Sequence, residues 1–312
     1  MKNVLITGIE GFVGSHLALT LLGKIKDISI TGTYLLEPDR EKLKNVNFIK
    51  VDIKSKEEIS ELFRKEKSFD AIFHLAGLAN VGYSWKHPEE VMEVNILGTL
   101  HFLEEIRKTK EKAKFLFVSS SDIYNEKSSS ILDESASLNP ESPYAISKLA
   151  AENLVTTYGK AYDIPVYIAR PVPHTGPGQS TSFAVMDFCS QAVKLKKDGL
   201  SSPAINVGNI DVAKDYCDVR DVVDAYIKIM ECSKAGEIYN ISTGVKITLR
   251  EIVEKIKRVL SFNFELKQDP SRLRPHDPDI VVLENLKLKA LGWKPRYSIE
   301  DTIKDIIDDI DV

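Results

Sequence analysis

Cysteine is scarce in this sequence of 312 residues, and its scarcity limits the classes of protein to consider. The three cysteines, Cys189, Cys217 and Cys232, have no CxxC spacing, so we expect structural thiols and not a disulfide framework. The six histidines are scattered without the spacing of metal ligands, which predicts no metal site. No apolar run approaches the roughly 18 residues of a membrane-spanning helix, so we expect no membrane partner.

A dominant charge of either sign is also missing. The net charge is −4 and the two signs are mixed along the chain, so no basic face predicts binding to nucleic acid. Hydrophobic residues make up 43% of the chain and charged residues 28%, which is typical of a soluble globular protein with one large or two smaller domains. Neither end resembles a signal peptide, so we expect a cytoplasmic protein.

Strand-like and helix-like segments alternate through the first half of the chain. Short apolar runs predict strands at 3–7, 28–35, 47–53, 69–76, 113–121 and 164–171. Helical spacing of apolar residues predicts helices at 14–25, 56–66 and 88–108, and another around Tyr144. This order predicts an α/β fold with a doubly wound parallel sheet that helices cover on both faces.

The pattern changes after residue 170. Segment 171–179, PVPHTGPGQ, predicts an irregular loop, and the polar segment 125–143 predicts a surface loop. Further helices are predicted at 183–197, 221–233, 249–260 and after Ser298, with strands at 204–208 and 237–242. We predict a sheet domain formed by residues 1–170 plus about 209–247, and a smaller α/β lobe formed by 171–208 plus about 248–312.

A glycine-rich turn, TGIEGFVG (7–14), follows the first predicted strand and opens the first helix. Gly8 allows the tight turn, Gly11 lets a pyrophosphate approach the backbone, and Gly14 allows close contact between helix and strand. The amino end of the helix then faces the anion. The turn therefore predicts a dinucleotide site.

Two positions bear on the rest of the dinucleotide. Asp52, after the third predicted strand, could accept a hydrogen bond from an adenine amino group or cap the next helix. An acid at the end of the second strand would select NAD, and an arginine there would select NADP. Neither stands at Gly32 or Thr33, and Glu37 and Arg40 come later. The choice between NAD and NADP stays open, with a slight preference for NADP.

Tyr144 and Lys148 lie one helical turn apart in SPYAISKLAAENL (142–154), a spacing that also occurs in ordinary surface pairs. Other motifs accompany this pair in a fixed order. They are TGIEGFVG, HLAG (74–77), NILGT (95–99), VSSSDIY (118–124), ARPVPHTGPGQ (169–179), DYCDVRDVVDAY (215–226) and LGWKP (291–295). With them the chain resembles the extended short-chain dehydrogenase/reductase family over nearly its whole length.

The resemblance implies a Rossmann-type fold, NADP or NAD as cofactor, and a nucleotide-sugar substrate bound by the smaller C-terminal lobe. It implies that Tyr144 exchanges a proton with the sugar oxygen, which Ser120 (or Ser119, by a shift of one) would hold. A free phenol has a pKa of about 10. The ammonium group of Lys148 and the positive charge of the nicotinamide should together lower the pKa of Tyr144, and Lys148 should also bind the nicotinamide ribose.

The resemblance also implies contacts to the two ligands. Expected cofactor contacts are Gly8, Gly11, Phe12, Val13, Gly14, Asp52, Ile53, Leu75, Ala76, Gly77, Asn95, Tyr144, Lys148 and Pro171. Expected substrate contacts are Ser121, His174, Lys214 and Arg274, of which the last two would hold the diphosphate. His174 could instead be structural, and Lys214 could be a solvated surface lysine.

Several subfamilies share these motifs. The 4,6-dehydratases carry a glutamate where Asp122, one methylene shorter, stands here, so Asp122 could orient a substrate hydroxyl or cap a turn. The segments after Pro171 are similar to those of GDP-4-dehydro-6-deoxy-D-mannose reductases, although Pro173 replaces their usual asparagine. We expect first an NAD(P)H-dependent reductase of a 4-keto-6-deoxy sugar, with a GDP-sugar favoured as substrate.

Three alternatives stay open at this stage. They are a UDP-glucose 4-epimerase-like enzyme, a GDP-mannose 4,6-dehydratase, and a non-catalytic NAD(P)-sensing protein. The intact pair of Tyr144 and Lys148 argues against the sensor. Family members commonly form homodimers through the helices that match 88–108 and 143–159, so the resemblance also implies a homodimer.

Overall fold

The computed structural model describes residues 1–66, 68–125, 131–199, 202–273 and 282–311. Its strands are β1 (Asn3–Thr7), β2 (Ser29–Tyr34), β3 (Val46–Lys50), β4 (Ala71–His74), β5 (Lys114–Val118), β6 (Ile131–Leu132), β7 (Val166–Pro171), β8 (His174–Thr175), β9 (Ala204–Val207), β10 (Ala213–Asp215), β11 (Cys217–Asp218), β12 (Ile238–Ile241), β13 (Lys246–Thr248), β14 (Glu265–Gln268) and β15 (Val282–Leu283). Its α-helices are α1 (Phe12–Lys24), α2 (Lys56–Lys65), α3 (Val81–Lys86), α4 (Pro88–Met92), α5 (Gly98–Thr109), α6 (Pro143–Tyr162), α7 (Ala184–Asp198), α8 (Val219–Cys232), α9 (Leu249–Leu260), α10 (Leu286–Ala290) and α11 (Ile299–Asp311).

Seven strands form one parallel sheet in the order β3-β2-β1-β4-β5-β7-β12. The chain runs outward from β1 to β3, then returns and continues from β4 on the other side of β1. Ligands of such sheets bind at the carboxyl ends of the strands that flank this reversal. The doubly wound α/β fold predicted from the sequence is confirmed, and the reversal lies beside Thr7 and His74, the last residues of β1 and β4.

Helices cover both faces of the sheet because alternate side chains of a strand point to opposite faces. On β1, Val4 and Ile6 pack in an apolar cluster with α1, α8 and α10. Leu5, between them, packs in a second cluster with α2, α5 and α6. All three side chains are fully buried, which explains why the strand is an unbroken apolar run and does not alternate with polar residues.

A buried ion pair fixes α6 against the sheet. Nη2 of Arg170 on β7 donates to Glu152 of α6 at 2.5 Å, and Nη1 donates to the Tyr124 hydroxyl at 2.8 Å. That hydroxyl donates in turn to Oδ1 of Asn240 on β12 at 2.7 Å. The two charges are paired and hydrogen-bonded, as buried charges must be. Helix α6 is therefore held in register with β7 and β12.

A third apolar cluster lies in the second half of the chain. It is formed by α7, β9, α9 and α11, with Phe188, Ile252 and Ile303 among its buried members. Its separation from the two clusters that flank the sheet supports the smaller lobe proposed from the sequence, whose boundaries stay a prediction.

Long-range pairing and one irregular helix account for the differences from the predicted elements. A π-helical turn, Glu93–Leu97, joins α4 to α5 where one continuous helix was predicted. The loop predicted at 171–179 contains β8, which pairs in parallel with β11 some forty residues later. Strands of two or three residues are too short to show a hydrophobic period, so the sequence did not reveal them. Among the described residues, no helix is long and apolar enough to cross a membrane.

Candidate active site

The glycine turn at the end of β1 is packed too tightly for side chains. A Cβ atom on Gly8, whose φ is +67°, would lie 2.9 Å from Cα of Ala76, and one on Gly14 would lie 2.4 Å from the Gly8 carbonyl oxygen. Helix α1 then begins after Gly11, and no side chain caps its first amides. Unpaired amides at the amino end of a helix suit an anion, so the turn fits the pyrophosphate of a dinucleotide.

A buried chain of hydrogen bonds starts beside this turn. Oγ1 of Thr7 accepts the amides of Leu75 and Ala76, each at 3.0 Å, and lies 3.1 Å from Nδ1 of His74. Because the Thr7 hydroxyl already accepts two bonds, it donates its proton to Nδ1, and the Nε2 proton of His74 is left for Thr99 Oγ1 at 3.1 Å. Burial lowers the pKa of His74 to about 3, so the ring is neutral.

The chain continues through the π-helical turn to α6. The Thr99 hydroxyl donates to the Asn95 carbonyl at 2.7 Å, and Nδ2 of Asn95 donates to Oγ of Ser147 at 2.9 Å. Ser147 donates to the Tyr144 carbonyl at 2.7 Å. Asn95 also holds both backbone groups of Leu78. One continuous polar path therefore connects the glycine turn to the start of α6.

Helix α6 places the phenol and the amine. The Ser142 side chain accepts the Ala145 amide and caps the helix, and a proline follows at its first position. Tyr144 is 8% exposed and Lys148 is 9% exposed. Nζ of Lys148 donates to the Val118 carbonyl at the end of β5, at 2.8 Å. The pair that the sequence singled out thus lies buried at the carboxyl edge of the sheet.

Ser120 is the serine that reaches Tyr144. Its hydroxyl is hydrogen-bonded to the phenol of Tyr144, and its Oγ also accepts the Asp122 amide at 3.1 Å. Oγ of Ser119 is buried without a hydrogen-bond partner in the described part of the chain. The geometry therefore favours Ser120 over Ser119. Ser121 begins the short 3₁₀ turn that carries Asp122.

Burial decides the pKa of Tyr144 in the chain itself. Burial, and next the negative charge of Asp122, raise the pKa of Tyr144, and the hydrogen bond with Ser120 offsets only part of the rise. Burial also lowers the pKa of Lys148 to about 8, because the ammonium loses its water. The lowering expected from Lys148 together with the nicotinamide charge stays a prediction for the complex with the cofactor. At neutral pH Tyr144 is a protonated acid.

Asp122 and Lys214 come together at the same edge. Nζ of Lys214, on β10, lies 3.9 Å from Oδ1 of Asp122, and about a fifth of each side chain is exposed. The negative charge of Asp122 raises the pKa of Tyr144, so the pair of Asp122 and Lys214 lies near the phenol. Arg274, the other predicted diphosphate contact, lies outside the described residues.

His174 packs on the glycine turn. Its ring stacks on that of Phe12 with the centroids 6.4 Å apart, and its Nδ1 donates to the Val172 carbonyl at 3.1 Å. Burial lowers its pKa, so the ring is neutral at pH 7. These contacts are consistent with a structural role, and the expected contact of His174 with the substrate stays a prediction. Pro171, just before it, is buried at the end of β7.

Asp52 is not the cap of α2. Ser55 caps that helix by accepting the Glu58 amide, while Oδ1 of Asp52 accepts the Lys54 amide at 2.9 Å in a local turn. The next residue, Ile53, is buried against Gly98, on which a Cβ atom would lie 2.7 Å from the isoleucine Cδ1. The side chain of Ile53 therefore belongs to the core.

Sequence reasoning missed the roles of Thr7, Thr99 and Ser147, and it quoted His74 only as part of a motif. Polar residues at the ends of buried apolar strands were the available signal, since a buried polar group needs a partner. Thr7 and His74 end neighbouring parallel strands, which brings them together at one edge.

The chain is similar to known proteins along nearly its whole length. A family model described as GDP-mannose 4,6 dehydratase matches residues 5–306. The chain is 32% identical to the GDP-6-deoxy-D-mannose reductase of Pseudomonas aeruginosa over 99% of this chain and 97% of that protein.

Two solved structures are similar in fold along nearly the whole chain. The structure of RMD from Pseudomonas aeruginosa complexed with NADPH has a TM-score of 0.86 at 30% identity and covers 99% of both chains. The UDP-glucose 4-epimerase of Thermus thermophilus in complex with NAD has a TM-score of 0.88 at 30% identity, again over 99% of both chains.

The polar path makes a testable prediction at Thr7. Replacing it by valine (Thr7→Val) keeps the shape but removes the acceptor of the Leu75 and Ala76 amides, so those two amides should exchange with solvent at least about tenfold faster. Hydrogen exchange measured by NMR checks this. Thr20→Val, which removes an ordinary bond to the His16 carbonyl on α1, is the matched control. Unchanged protection of both amides in Thr7→Val would contradict the assignment.

Proposed function

The chain belongs to the GDP-mannose 4,6 dehydratase family, and on that premise we propose that it reduces the C4 keto group of a nucleotide-linked 4-keto-6-deoxy sugar with NAD(P)H. The observation that carries the proposal is the buried, protonated phenol of Tyr144 hydrogen-bonded to Ser120. Reduction of a ketone needs a proton donor at the oxygen, and a phenol that is protonated at neutral pH and lies at the carboxyl edge of the sheet can serve as that donor. The similarity to a GDP-6-deoxy-D-mannose reductase supports a GDP-sugar as substrate.

The residues of the site have distinct tasks in this reaction. The hydride that forms the new C–H bond would come from bound NAD(P)H. Tyr144 donates its proton to the C4 oxygen as negative charge develops there, and the Ser120 hydroxyl donates a hydrogen bond to the same oxygen. The ammonium group of Lys148, one turn after Tyr144 on α6, stabilises the phenolate until solvent returns the proton.

The dinucleotide would lie across the reversal of strand order. We propose Gly8, Gly11, Phe12, Val13, Gly14, Asp52, Ile53, Leu75, Ala76, Gly77 and Pro171 as its contacts. Asn95 acts differently, because its amide group is already bonded to Leu78 and Ser147. It positions the segment after β4 and the helix that carries Tyr144.

Substrate contacts are proposed at Ser121, His174, Lys214 and Arg274. Lys214 pairs with Asp122, and this pair also bears on the choice of reaction. A 4,6-dehydratase needs a base that reaches the C5 proton, whereas Asp122 is short and already faces an ammonium group. A ketone reduction needs no such base, so the pairing favours a reductase.

A nucleotide-sugar 4-epimerase is the second candidate. The similarity to the Thermus thermophilus UDP-glucose 4-epimerase in fold and identity equals that to the reductase, and the same three side chains could serve it. A non-catalytic sensor would have no need for Tyr144 and Lys148 to meet Ser120 in a buried site. The two enzymes differ in net redox change, which the next experiment measures.

The first prediction of this proposal is that the purified protein catalyses the reduction. Purified protein with GDP-4-keto-6-deoxymannose should consume the ultraviolet absorbance of NADPH or NADH. Tyr144→Phe should lower kcat at least about a hundredfold, because the proton donor is lost, while its affinity for the dinucleotide stays unchanged. Tyr162→Phe, an exposed tyrosine near the end of the same helix, should change neither.

Two outcomes would count against a reductase. Constant absorbance with both dinucleotides would remove the proposal. Interconversion of UDP-glucose and UDP-galactose without net consumption of dinucleotide would favour the epimerase instead.

The second prediction concerns pH. The pKa of Lys148 is about 8, and the pKa of Tyr144 is raised, so on alkalinisation the ammonium loses its proton before the phenol does. The reduction rate at low substrate, kcat/KM, should therefore be level at neutral pH and fall above about pH 8. Lys148→Arg, which keeps its charge, should shift the fall to higher pH even if it lowers the rate. A profile without a fall above pH 8 in the native enzyme would contradict this.

The third prediction concerns a homodimer, which we propose forms through the helices α3 to α6. Exposed apolar side chains occur along these packed helices, at Tyr83, Trp85, Leu97, Ile146 and Tyr162. Exposed apolar groups on neighbouring helices suit burial against a second copy. Light scattering should give a dimer for the native chain and a monomer for the double variant Leu97→Glu, Ile146→Glu. Leu286→Glu, on α10, is the control that should stay dimeric. A native monomer would contradict the proposal.

A further inference from the structure

Glu10 reaches from the glycine turn to the end of the neighbouring strand. Its Oε1 accepts the amide of Leu35 at 2.9 Å and that of Leu36 at 3.4 Å, the two residues that follow β2. Its Oε2 is buried and has no hydrogen-bond partner in the described part of the chain. A carboxylate oxygen that is shielded from water and lacks a donor is unfavourable, so this atom is suited to accept a hydrogen bond from a ligand.

The position of Glu10 identifies the part of the ligand concerned. In a doubly wound sheet, the adenosine ribose of a dinucleotide lies over the end of β2, next to the turn that holds the pyrophosphate. An acid on β2 normally accepts the 2′-hydroxyl there, but β2 ends in Gly32, Thr33 and Tyr34. Glu10 places a carboxylate at this strand end from the turn.

Packing explains why the acid does not come from β2 itself. A Cβ atom on Gly32 would lie 2.4 Å from Cδ1 of Ile9, so the isoleucine side chain fills the space beside the strand. Ile9 is fully buried, and its amide donates to the Thr33 carbonyl at 3.0 Å. The turn is thereby fastened to the end of β2, and the next residue of the turn, Glu10, carries the carboxylate.

We propose that Glu10 selects NAD(H) over NADP(H) by accepting the adenosine 2′-hydroxyl at Oε2. A 2′-phosphate has no proton to donate at neutral pH and would meet a like charge at this atom. The amides of Leu35 and Leu36, which could otherwise bind a phosphate, are taken by Oε1. The inference rests on the proposed dinucleotide binding but not on the identity of the sugar.

The nearest candidate for binding a 2′-phosphate is already engaged. Nε of Arg40 donates to Glu37 at 2.6 Å, Nη2 donates to the Tyr34 hydroxyl at 3.1 Å, and the guanidinium lies over the ring of Phe48. A preference for NAD(H) is the opposite of the slight preference for NADP that the sequence indicated. It also separates this chain from the relative whose structure holds NADPH.

Binding measurements on the whole protein test the proposal without any sugar. Fluorescence titration should show that the native chain binds NADH at least about tenfold more tightly than NADPH, as expected for one charge-assisted hydrogen bond against one like-charge contact. Glu10→Gln keeps an oxygen for the Leu35 amide and puts an amide donor in place of the charged Oε2. The ratio of the two dissociation constants should shift at least about tenfold towards NADPH. Glu41→Gln, the same change of charge at an exposed position in the segment after β2, should leave the ratio unchanged.

A second measurement needs no variant and covers a Glu10→Gln protein that fails to fold. In the native chain, 5′-AMP should displace NADH at lower concentration than adenosine 2′,5′-bisphosphate, because the pair differs only at the 2′-position. Equal displacement by the two nucleotides, tighter native binding of NADPH, or an unchanged ratio in Glu10→Gln would overturn the proposal. Binding of neither dinucleotide would overturn both this proposal and the proposed function. Selective binding of NADH by a protein that is inactive on the sugar would contradict only the function.

Discussion

The buried path of hydrogen bonds from β1 to α6 is the constraint on which the site depends. Thr7, His74, Thr99, Asn95 and Ser147 belong to five separate elements, and each donates to the next or holds its backbone. Burial keeps the imidazole neutral, which leaves one arrangement of protons along the path. A path with one arrangement fixes distances between elements more strictly than apolar packing does. The glycine turn and helix α6 are therefore placed relative to each other before any ligand binds.

Burial also sets the chemistry. Burial keeps the phenol of Tyr144 protonated at neutral pH, and it lowers the pKa of Lys148 to about 8. Both effects have one cause, the loss of water around a charged form, and they act in opposite directions because one group is charged when deprotonated and the other when protonated.

Local spacing predicted the parallel sheet and the glycine turn, whereas the importance of the Tyr144–Lys148 pair came from the resemblance to a known family. Local spacing missed the strand at His174–Thr175, whose partner lies far along the chain. The depth at which Tyr144 is buried, which raises its pKa in the chain itself, could not be read from the spacing of the pair. Glu10 escaped notice because an acid was sought on β2, and only the coordinates show that Ile9 excludes a side chain at Gly32.

The irregular turn at Glu93–Leu97 has a consequence for how this chain can change. A π-helical turn carries one residue more than an α-helical turn of the same span. Deleting a single residue there would restore a regular α-helix and leave α4 and α5 at nearly the same angle about the axis, because the turn accommodates its extra residue locally. The wider turn instead sets the direction of the side chains within it, among them Asn95, which donates to Ser147. We therefore expect a deletion in this segment to remove the Asn95–Ser147 hydrogen bond while Gly98 keeps its packing against Ile53.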